Sequence, residues 1–220
     1  MVTAFPLDAA TWWGALPIST LSLDPVEHIV ADMTGKGEPI DDDVAPMLWE
    51  GEVSLGRMSS GDAAHAAVMM DLLRPAGRLF WVYDIRRPFP KADPTGAILG
   101  ASIPSIASLP GSGREMSMSG LPVGYELRQG DLLGFGYDGG RRALHRVLTP
   151  VVLANGAGTT PVFEVSTLIR PGAQVGAAIQ LVRPSIPCRR VPGSVVTGST
   201  RQAITEGFTF RFKQSLGQIA

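Results

Sequence analysis

A glycine-rich segment at 134–139, with the sequence GFGYDG, matches the G-x-G-x-x-G spacing of a dinucleotide-binding turn. In such a site a helix must follow the turn, because the free amides at the helix N-terminus hold the pyrophosphate. Here residues 140–147 have the composition of a turn and a strand, and no acidic residue lies about 20 positions further on. The segment therefore predicts a β-hairpin, and no cofactor is expected.

Nucleophilic or metal chemistry would depend on one cysteine, Cys188, and three histidines, His28, His65 and His145. A thiolate–imidazole pair of Cys188 and His145, with Asp131 as a third member, is one hypothesis for a hydrolase. However, Cys188 lies between prolines and arginines rather than at a helix N-terminus, which would lower the pKa of its thiol. The histidine spacing matches no zinc motif. We therefore predict no catalytic residue and no metal site.

Acidic side chains form two further groups, the run Asp41, Asp42 and Asp43 and the pair Glu50 and Glu52. The aspartate run lacks the alternating spacing and the glycine of a calcium loop. The two glutamates share one strand face, as a paired acid and base could, but no aromatic platform for a sugar lies between them. We interpret both groups as a solvated face or a contact between subunits.

Composition bounds the class of protein. The 220 residues include 26 glycines and 18 prolines, one fifth of the chain, against about 12% in an average protein. Such a composition predicts many short strands joined by turns. A net charge of -1 argues against a globally basic nucleic-acid binder, and a single cysteine excludes an internal disulfide framework. No apolar run is long enough to span a membrane, and the N-terminus lacks the features of a secretory signal.

Charge is distributed unevenly along the chain. Residues 1–60 contain ten acidic and two basic side chains, a net of 2 − 10 = -8, whereas residues 141–220 contain ten basic and two acidic ones, a net of 10 − 2 = +8. The two ends could pair within one chain, or the acidic and basic faces of neighbouring copies could meet head to tail. Both explanations remain open from the sequence.

Hydrophobic patterning predicts the elements of the first hundred residues. The polar segment 35–45 is expected to be a long hairpin loop, and the alternating segment 49–55 a half-exposed strand. A capped helix is expected at about 60–74, ended by proline and glycine. The apolar run Leu79–Tyr83 predicts a central strand covered on both faces.

The rest of the chain predicts short strands without a helix. They are expected at Glu115–Ser119, Asp131–Tyr137, Leu144–Leu153, Val162–Ile169 and Ala177–Val182. A last strand alternates Phe208, Phe210 and Phe212 with polar side chains. The fold expected is mainly β: residues 1–89 with 193–220 form a split β-barrel or sandwich with one flanking helix, and residues 90–192 form an inserted small antiparallel, OB-like barrel.

This order of elements resembles the distal tail protein of long-tailed bacteriophages, or a closely related tail-tip or tube component. Short phrases in the chain also resemble tail proteins of that kind. They are GRLFWVYD at 77–84, LRQGD at 127–131, IRPG at 169–172, PGS at 192–194 and GFTF at 207–210.

The resemblance implies a structural virion protein of a siphophage, made in the host cytoplasm and carrying no catalytic residue. Copies of it would assemble head to tail into a hexameric ring of the baseplate, which joins the tail tube protein to the tail hub or tip. The tape measure protein would be a further partner, and DNA would only pass through the lumen. The segment 35–45 would act as a subunit-bridging arm. The predicted interface residues are Lys36, Glu38, Asp41, Asp42, Asp43, Glu50, Glu52, Arg211 and Lys213.

An alternative function is a carbohydrate-binding module of a tail or cell-surface protein, with the barrel at 95–192 as the binding domain. The aromatic side chains available there for stacking on a sugar are Tyr125, Phe135, Tyr137 and Phe163.

Overall fold

A computed structural model describes residues 4–33 and 35–217, without the side chains at positions 40, 41, 43 and 44. Within these ranges the chain forms fifteen strands, one α-helix, α1 (Ser60–Leu72), and one short 3-10 helix, Trp13–Ala15. The strands are β1 Ile18–Met33, β2 Pro39–Leu55, β3 Met58–Ser59, β4 Phe80–Tyr83, β5 Ser105–Ser108, β6 Glu115–Ser119, β7 Glu126–Arg128, β8 Leu132–Tyr137, β9 Arg141–Arg146, β10 Val151–Leu153, β11 Phe163–Glu164, β12 Ile179–Gln180, β13 Ser185–Arg190, β14 Val196–Arg201 and β15 Ile204–Gln214. The predicted mainly β class is confirmed.

The largest sheet has the strand order β1-β2-β15-β13-β4, and β3 and β14 also pair with β15. None of the sheets in the described ranges closes into a barrel. The predicted alternation is confirmed on both central strands: Trp49, Val53 and Leu55 of β2 are buried, as are the three phenylalanines of β15. These apolar faces cover one side of the sheet, where the tryptophans of the N-terminal segment pack against them.

The Cα atom of Gly51 has a backbone oxygen of the neighbouring strand and one aromatic ring close beside it. Gly51 of β2 lies opposite Leu23 of β1 and Phe212 of β15. A Cβ atom at this position would lie 2.5 Å from Cζ of Phe212 and would also meet the carbonyl oxygen of Ser22. The sheet therefore needs glycine here, because any side chain would overlap a ring held in the core.

Replacement of Gly51 with alanine is expected to lower the free energy of unfolding by about 1–3 kcal/mol, since the added methyl group overpacks the sheet. Equilibrium urea unfolding followed by circular dichroism measures the loss. Gly56→Ala is the matched control, because a Cβ there would lie 3.5 Å from the nearest atom. We expect that control to stay within about 0.5 kcal/mol of wild type, and equal losses for the two variants would contradict the overlap.

Helix α1 begins at the predicted residue and ends two residues earlier than predicted. Its N-cap is Ser59, whose hydroxyl oxygen accepts a hydrogen bond from the amide of Asp62 at 3.1 Å. The buried face consists of Ala63, Ala66 and Met70. The helix packs against the sheet beside β3, β14 and β15.

Residues 99–181 contribute a second hydrophobic cluster, surrounded by three small antiparallel sheets. Strands β8 and β9 form a hairpin whose turn residues Asp138, Gly139 and Gly140 have φ of 42°, 70° and 111°. The hairpin predicted in place of a nucleotide loop is thus confirmed. The strand predicted at Glu115–Ser119 is also confirmed, whereas the one at Leu144–Leu153 is broken into the end of β9 and β10.

Two strands lie where the sequence did not predict them. Strand β13 belongs to the large sheet, between β15 and β4, so the chain returns to that sheet before residue 192. Strand β4, predicted to be central, is the last strand in the order, and along its outer edge the described residues form one parallel bridge, from Leu7 to Phe80. The division into 1–89 with 193–220 and 90–192 stays a prediction.

Candidate functional site

A β-hairpin arm extends from the edge of the large sheet. We define the arm as residues 26–33 of β1 and 39–48 of β2. The two strands stay paired as far as Met33 opposite Pro39, with register shifts between Val26 and Ile29, so the expected long loop at 35–45 is wrong from Pro39 onward. The polar residues after Pro39 pair with the apolar end of β1. The turn that connects the two strands is therefore only the segment between Met33 and Pro39.

Most of the described side chains of the arm are exposed. Val26, Ile29, Val30 and Met33 are 38%, 44%, 57% and 75% exposed. Strand β15 pairs with β2 only from Glu50 to Ser54, and among the described residues no third strand pairs with the arm. A two-stranded hairpin is marginally stable in water by itself. An arm with exposed apolar side chains therefore indicates a surface that another molecule covers.

The polar side chains of the arm are mainly acidic. Glu27, Asp32 and Asp42 are exposed, as are Lys36 and Glu38 in the connecting turn. The side chains of Asp41 and Asp43, two of the predicted interface residues, lie outside the described residues. The described part of the arm thus presents apolar and acidic groups side by side.

The other four predicted interface residues meet at the base of the arm. Glu52 lies opposite Arg211 and Glu50 opposite Lys213 in the β2–β15 register. Lys213 Nζ is 2.6 Å from Glu50 Oε1 and 3.3 Å from Nε2 of His28. These side chains anchor the arm to the sheet, since one ammonium group contacts both β1 and β2.

Charges from the two ends of the chain partly pair within one copy. Besides Lys213 with Glu50, Arg146 Nη2 lies 3.0 Å from Asp24 Oδ1. The internal explanation of the charge asymmetry is therefore correct for these pairs. Among the described side chains of the arm, Glu27, Asp32 and Asp42 form no such ion pair.

The three residues of the hydrolase hypothesis are held by other partners. Nδ1 of His145 lies 2.9 Å from the Ser166 carbonyl oxygen and 2.9 Å from the Thr167 hydroxyl oxygen. A carbonyl oxygen can only accept, so Nδ1 carries the proton and Nε2 is left as an acceptor. Nε2 is buried and has no hydrogen-bond partner among the described residues. Burial lowers the pKa of His145 to about 4.

Asp131 and Cys188 serve local structure. The carboxylate of Asp131 accepts from the backbone amides of Lys91 and Arg128 at 2.9 and 2.8 Å, which fixes a turn. Cys188 is fully buried in the first hydrophobic cluster, and burial raises the pKa of its thiol. The hydrogen bonds of His145 and Asp131 therefore join neither residue to the other or to Cys188 in the described part of the chain.

The aromatic residues proposed for sugar stacking are not on the surface. Tyr125, Phe135, Tyr137 and Phe163 are all buried in the second hydrophobic cluster. Phe135 stacks against His145 with ring centroids 5.2 Å apart. These four rings therefore provide no exposed platform.

A cleft of about 310 Å³ at the β4 edge of the sheet combines arginine and aromatic side chains. Cζ of Arg142 lies 5.8 Å from the ring centroid of Trp81, and Cζ of Arg183 lies 5.8 Å from that of Tyr83. Sequence reasoning missed this group, since its members lie up to 102 positions apart, from 81 to 183. The alternation of Trp81 and Tyr83 was the only local signal.

A larger groove of about 790 Å³ lies between α1 and the N-terminal segment. It is lined by apolar groups such as Leu7, Trp12 and Met69, with Asp62 and His65 among its polar ones. Across residues 4–33 and 35–217, no three histidine, cysteine or acidic side chains converge as a metal site would require.

The helices found in those same ranges are too short or too polar to cross a bilayer. No protein-family model matches the sequence, and no curated protein matches it significantly.

Proposed function

We propose that this chain is a ring-forming structural protein of a phage tail, the distal tail ring that joins the tail tube to the tail tip. The exposed arm is the observation that carries the proposal. An acidic and apolar hairpin that projects from a sheet is poorly stable alone and needs a neighbouring surface. A second copy of the chain supplies that surface in a ring.

The sheet provides the two different faces that a ring requires. A heterologous contact closes into a ring only if each copy presents two complementary surfaces. Strand β1 lies at one end of the strand order and β4 at the other. The arm at the β1 end and the arginine-lined cleft at the β4 end also carry opposite charges. This arrangement favours head-to-tail association over a symmetric dimer.

The resemblance to distal tail proteins supplies the rest of the proposal. In the proposed ring, the large sheet with α1 belongs to a split barrel that neighbouring copies complete. The smaller sheets form an OB-like insertion on the outside of the ring. The neighbours are the tube protein, the tail hub and the tape measure protein. The virion is the site of function, and acidic groups on the lumen side let DNA pass without adhesion, because phosphate binding requires cations.

Native mass spectrometry and negative-stain images of the purified chain test this proposal. We expect closed rings at micromolar concentration for the wild type. In the arm-shortened variant, Val26 is joined to Leu48, its partner in the register, through an Asn-Gly turn. We expect that variant to be a monomer with an unchanged circular dichroism spectrum.

The ring experiment has one control variant and two outcomes that would contradict the proposal. An Arg74→Ala variant, altered at an exposed side chain after α1, is the control and is expected to form rings. A wild-type protein that stays monomeric at micromolar concentration would overturn the proposed function. Rings that persist in the arm-shortened variant would show that the arm does not join the copies, and the proposed function would lose its supporting observation.

A further inference from the structure

We infer that the cleft lined by Trp81, Tyr83, Arg142 and Arg183 is the seat of the acidic arm of a second copy of this chain. The inference rests on the proposed function and names the two surfaces that meet. Asp32 and Asp42 of one copy face Arg142 and Arg183 of the next. Val30, on the same face of the arm, covers the partly exposed indole ring of Trp81.

The aromatic rings hold the two guanidinium groups in place without neutralising them. Trp81 and Tyr83 are two positions apart on β4, so their rings lie on one face of the strand. Each ring has one arginine at 5.8 Å from its centroid. A cation over a ring keeps its full charge and its N–H donors at the edge of the guanidinium plane. The cleft thus presents donors suited to two carboxylates.

Arg142 and Arg183 belong to the ten of the chain's sixteen arginines that form no ion pair with a described side chain. Six arginines form ion pairs within the chain, namely Arg57, Arg74, Arg86, Arg128, Arg141 and Arg146. Neither Arg142 nor Arg183 has a carboxylate within 4.0 Å among the described residues. An acidic partner from outside would supply the missing countercharge.

Asp8 also lines the cleft but is already engaged. Its carboxylate accepts hydrogen bonds from the amides of Ala10 and Thr11, both at 2.9 Å. Those bonds lower the pKa of Asp8. The side chain therefore caps the N-terminal turn, and its carboxylate forms no ion pair with either arginine among the described residues.

The arm presents its acids in a matching pair. Val30 lies directly opposite Asp42, and Asp32 is two positions further along β1. The register from Ile29 to Met33 has no irregularity, so Val30, Asp32 and Asp42 share one face. Two carboxylates therefore lie beside an exposed valine on the arm, and two guanidinium groups lie beside the partly exposed Trp81 and the buried Tyr83 in the cleft.

Geometry favours a contact between copies over one within a copy. The arm and the cleft lie at opposite ends of the strand order. The eight residues of the arm on β1 span roughly 25 Å, enough to reach well onto a neighbour. Each copy thus offers one arm and one cleft, the arrangement of a head-to-tail ring.

Charge reversal with rescue tests the inference. The arm variant is Asp32→Arg with Asp42→Arg, and the cleft variant is Arg142→Glu with Arg183→Glu. We expect each to weaken self-association about tenfold or more, because like charges then meet across the contact. An equimolar mixture or a combined variant, which restores opposite charges, is expected to recover most of the rings. Native mass spectrometry across a concentration series measures both effects.

A matched control reverses Arg74 and Arg201, which are exposed elsewhere, and is expected to form rings as the wild type does. Circular dichroism confirms folding of each variant. If the reversed arm variant does not fold, the milder Asp32→Asn with Asp42→Asn is used; it is expected to weaken association relative to wild type, and association equal to that of wild type would overturn the inference.

The outcomes separate the inference from the proposed function. Wild-type rings that are unaffected by either reversal overturn the inference and leave the ring in place. Loss of rings in both variants without rescue by their combination also overturns the pairing of these surfaces. A monomeric wild type overturns the proposed function and the inference together.

Discussion

Replacing Trp13 with alanine is expected to lower the free energy of unfolding by about 3–5 kcal/mol. Trp13 is fully buried, and its ring lies 5.4 Å from the ring of Phe212 and 6.2 Å from that of Phe80, centroid to centroid. Its indole Nε1 donates a hydrogen bond to the carbonyl oxygen of Tyr83 at 2.9 Å. Alanine would leave a large cavity beneath the sheet and a buried carbonyl group without its donor.

Guanidinium unfolding of Trp13→Ala in the arm-shortened background measures this loss, because ring contacts would otherwise stabilise the folded state. Trp13→Phe keeps most of the volume but removes the donor, so its loss is expected to be smaller. The matched control is Trp81→Ala, a half-exposed tryptophan on the same sheet. A loss for Trp13→Ala no larger than that of the control would contradict the packing of Trp13 against Phe80 and Phe212.

The second large effect concerns the pH dependence of stability. Burial lowers the pKa of His145 to about 4, from 6.5 for an exposed histidine. Desolvation is the largest cause, and the charge of Arg170 acts in the same direction, while the hydrogen bond to the Ser166 carbonyl opposes it. A shift of this size corresponds to about 3 kcal/mol.

The sign follows from which state binds the proton. Above pH 6.5 the histidine is neutral in both states, so His145 imposes no proton-linked cost. Between pH 6.5 and about 4 the unfolded chain binds a proton that the folded chain does not, so stability is lost as the pH falls. Below about 4 the folded state also binds the proton, and this contribution levels off.

Urea unfolding at a series of pH values checks the expectation. His145→Gln keeps an amide donor for the Ser166 carbonyl and cannot titrate, so its stability is expected to fall by about 3 kcal/mol less than that of wild type over this pH range. His65→Gln is the control, because His65 is exposed on α1. Wild type and His145→Gln with parallel pH profiles would show that His145 does not carry the dependence.

Much of the fold could be predicted because its cause is local. The alternation of Trp49, Val53 and Leu55 predicted a strand with one buried face, and the serine and aspartate before Ala63 predicted the helix start. The turn at Asp138-Gly139-Gly140 needs φ values that glycine adopts easily, so the hairpin was also predictable.

The candidate site was predicted less well, because its parts depend on distant partners. The acidic run after Pro39 has a composition typical of a loop, yet it forms a strand because β1 supplies a register for it up to Met33. Glu50 and Lys213 were both predicted as interface residues, and the β2–β15 register joins them to each other. No local pattern indicates such pairing, since it depends on which strands become neighbours.

The sequence by itself determined the mainly β class, the positions of most turns and the opposite charges of the two ends, because composition and alternation act within a few residues. Only the tertiary structure decided where those charges lie. Strand order places the acidic arm at one end of the large sheet and β4 at the other, where Trp81 and Tyr83 contact Arg142 and Arg183, and it returns β13 to that sheet. The physical reason is that strand pairing and burial are long-range: a side chain's neighbours across a sheet are set by the whole packed core, not by its own segment.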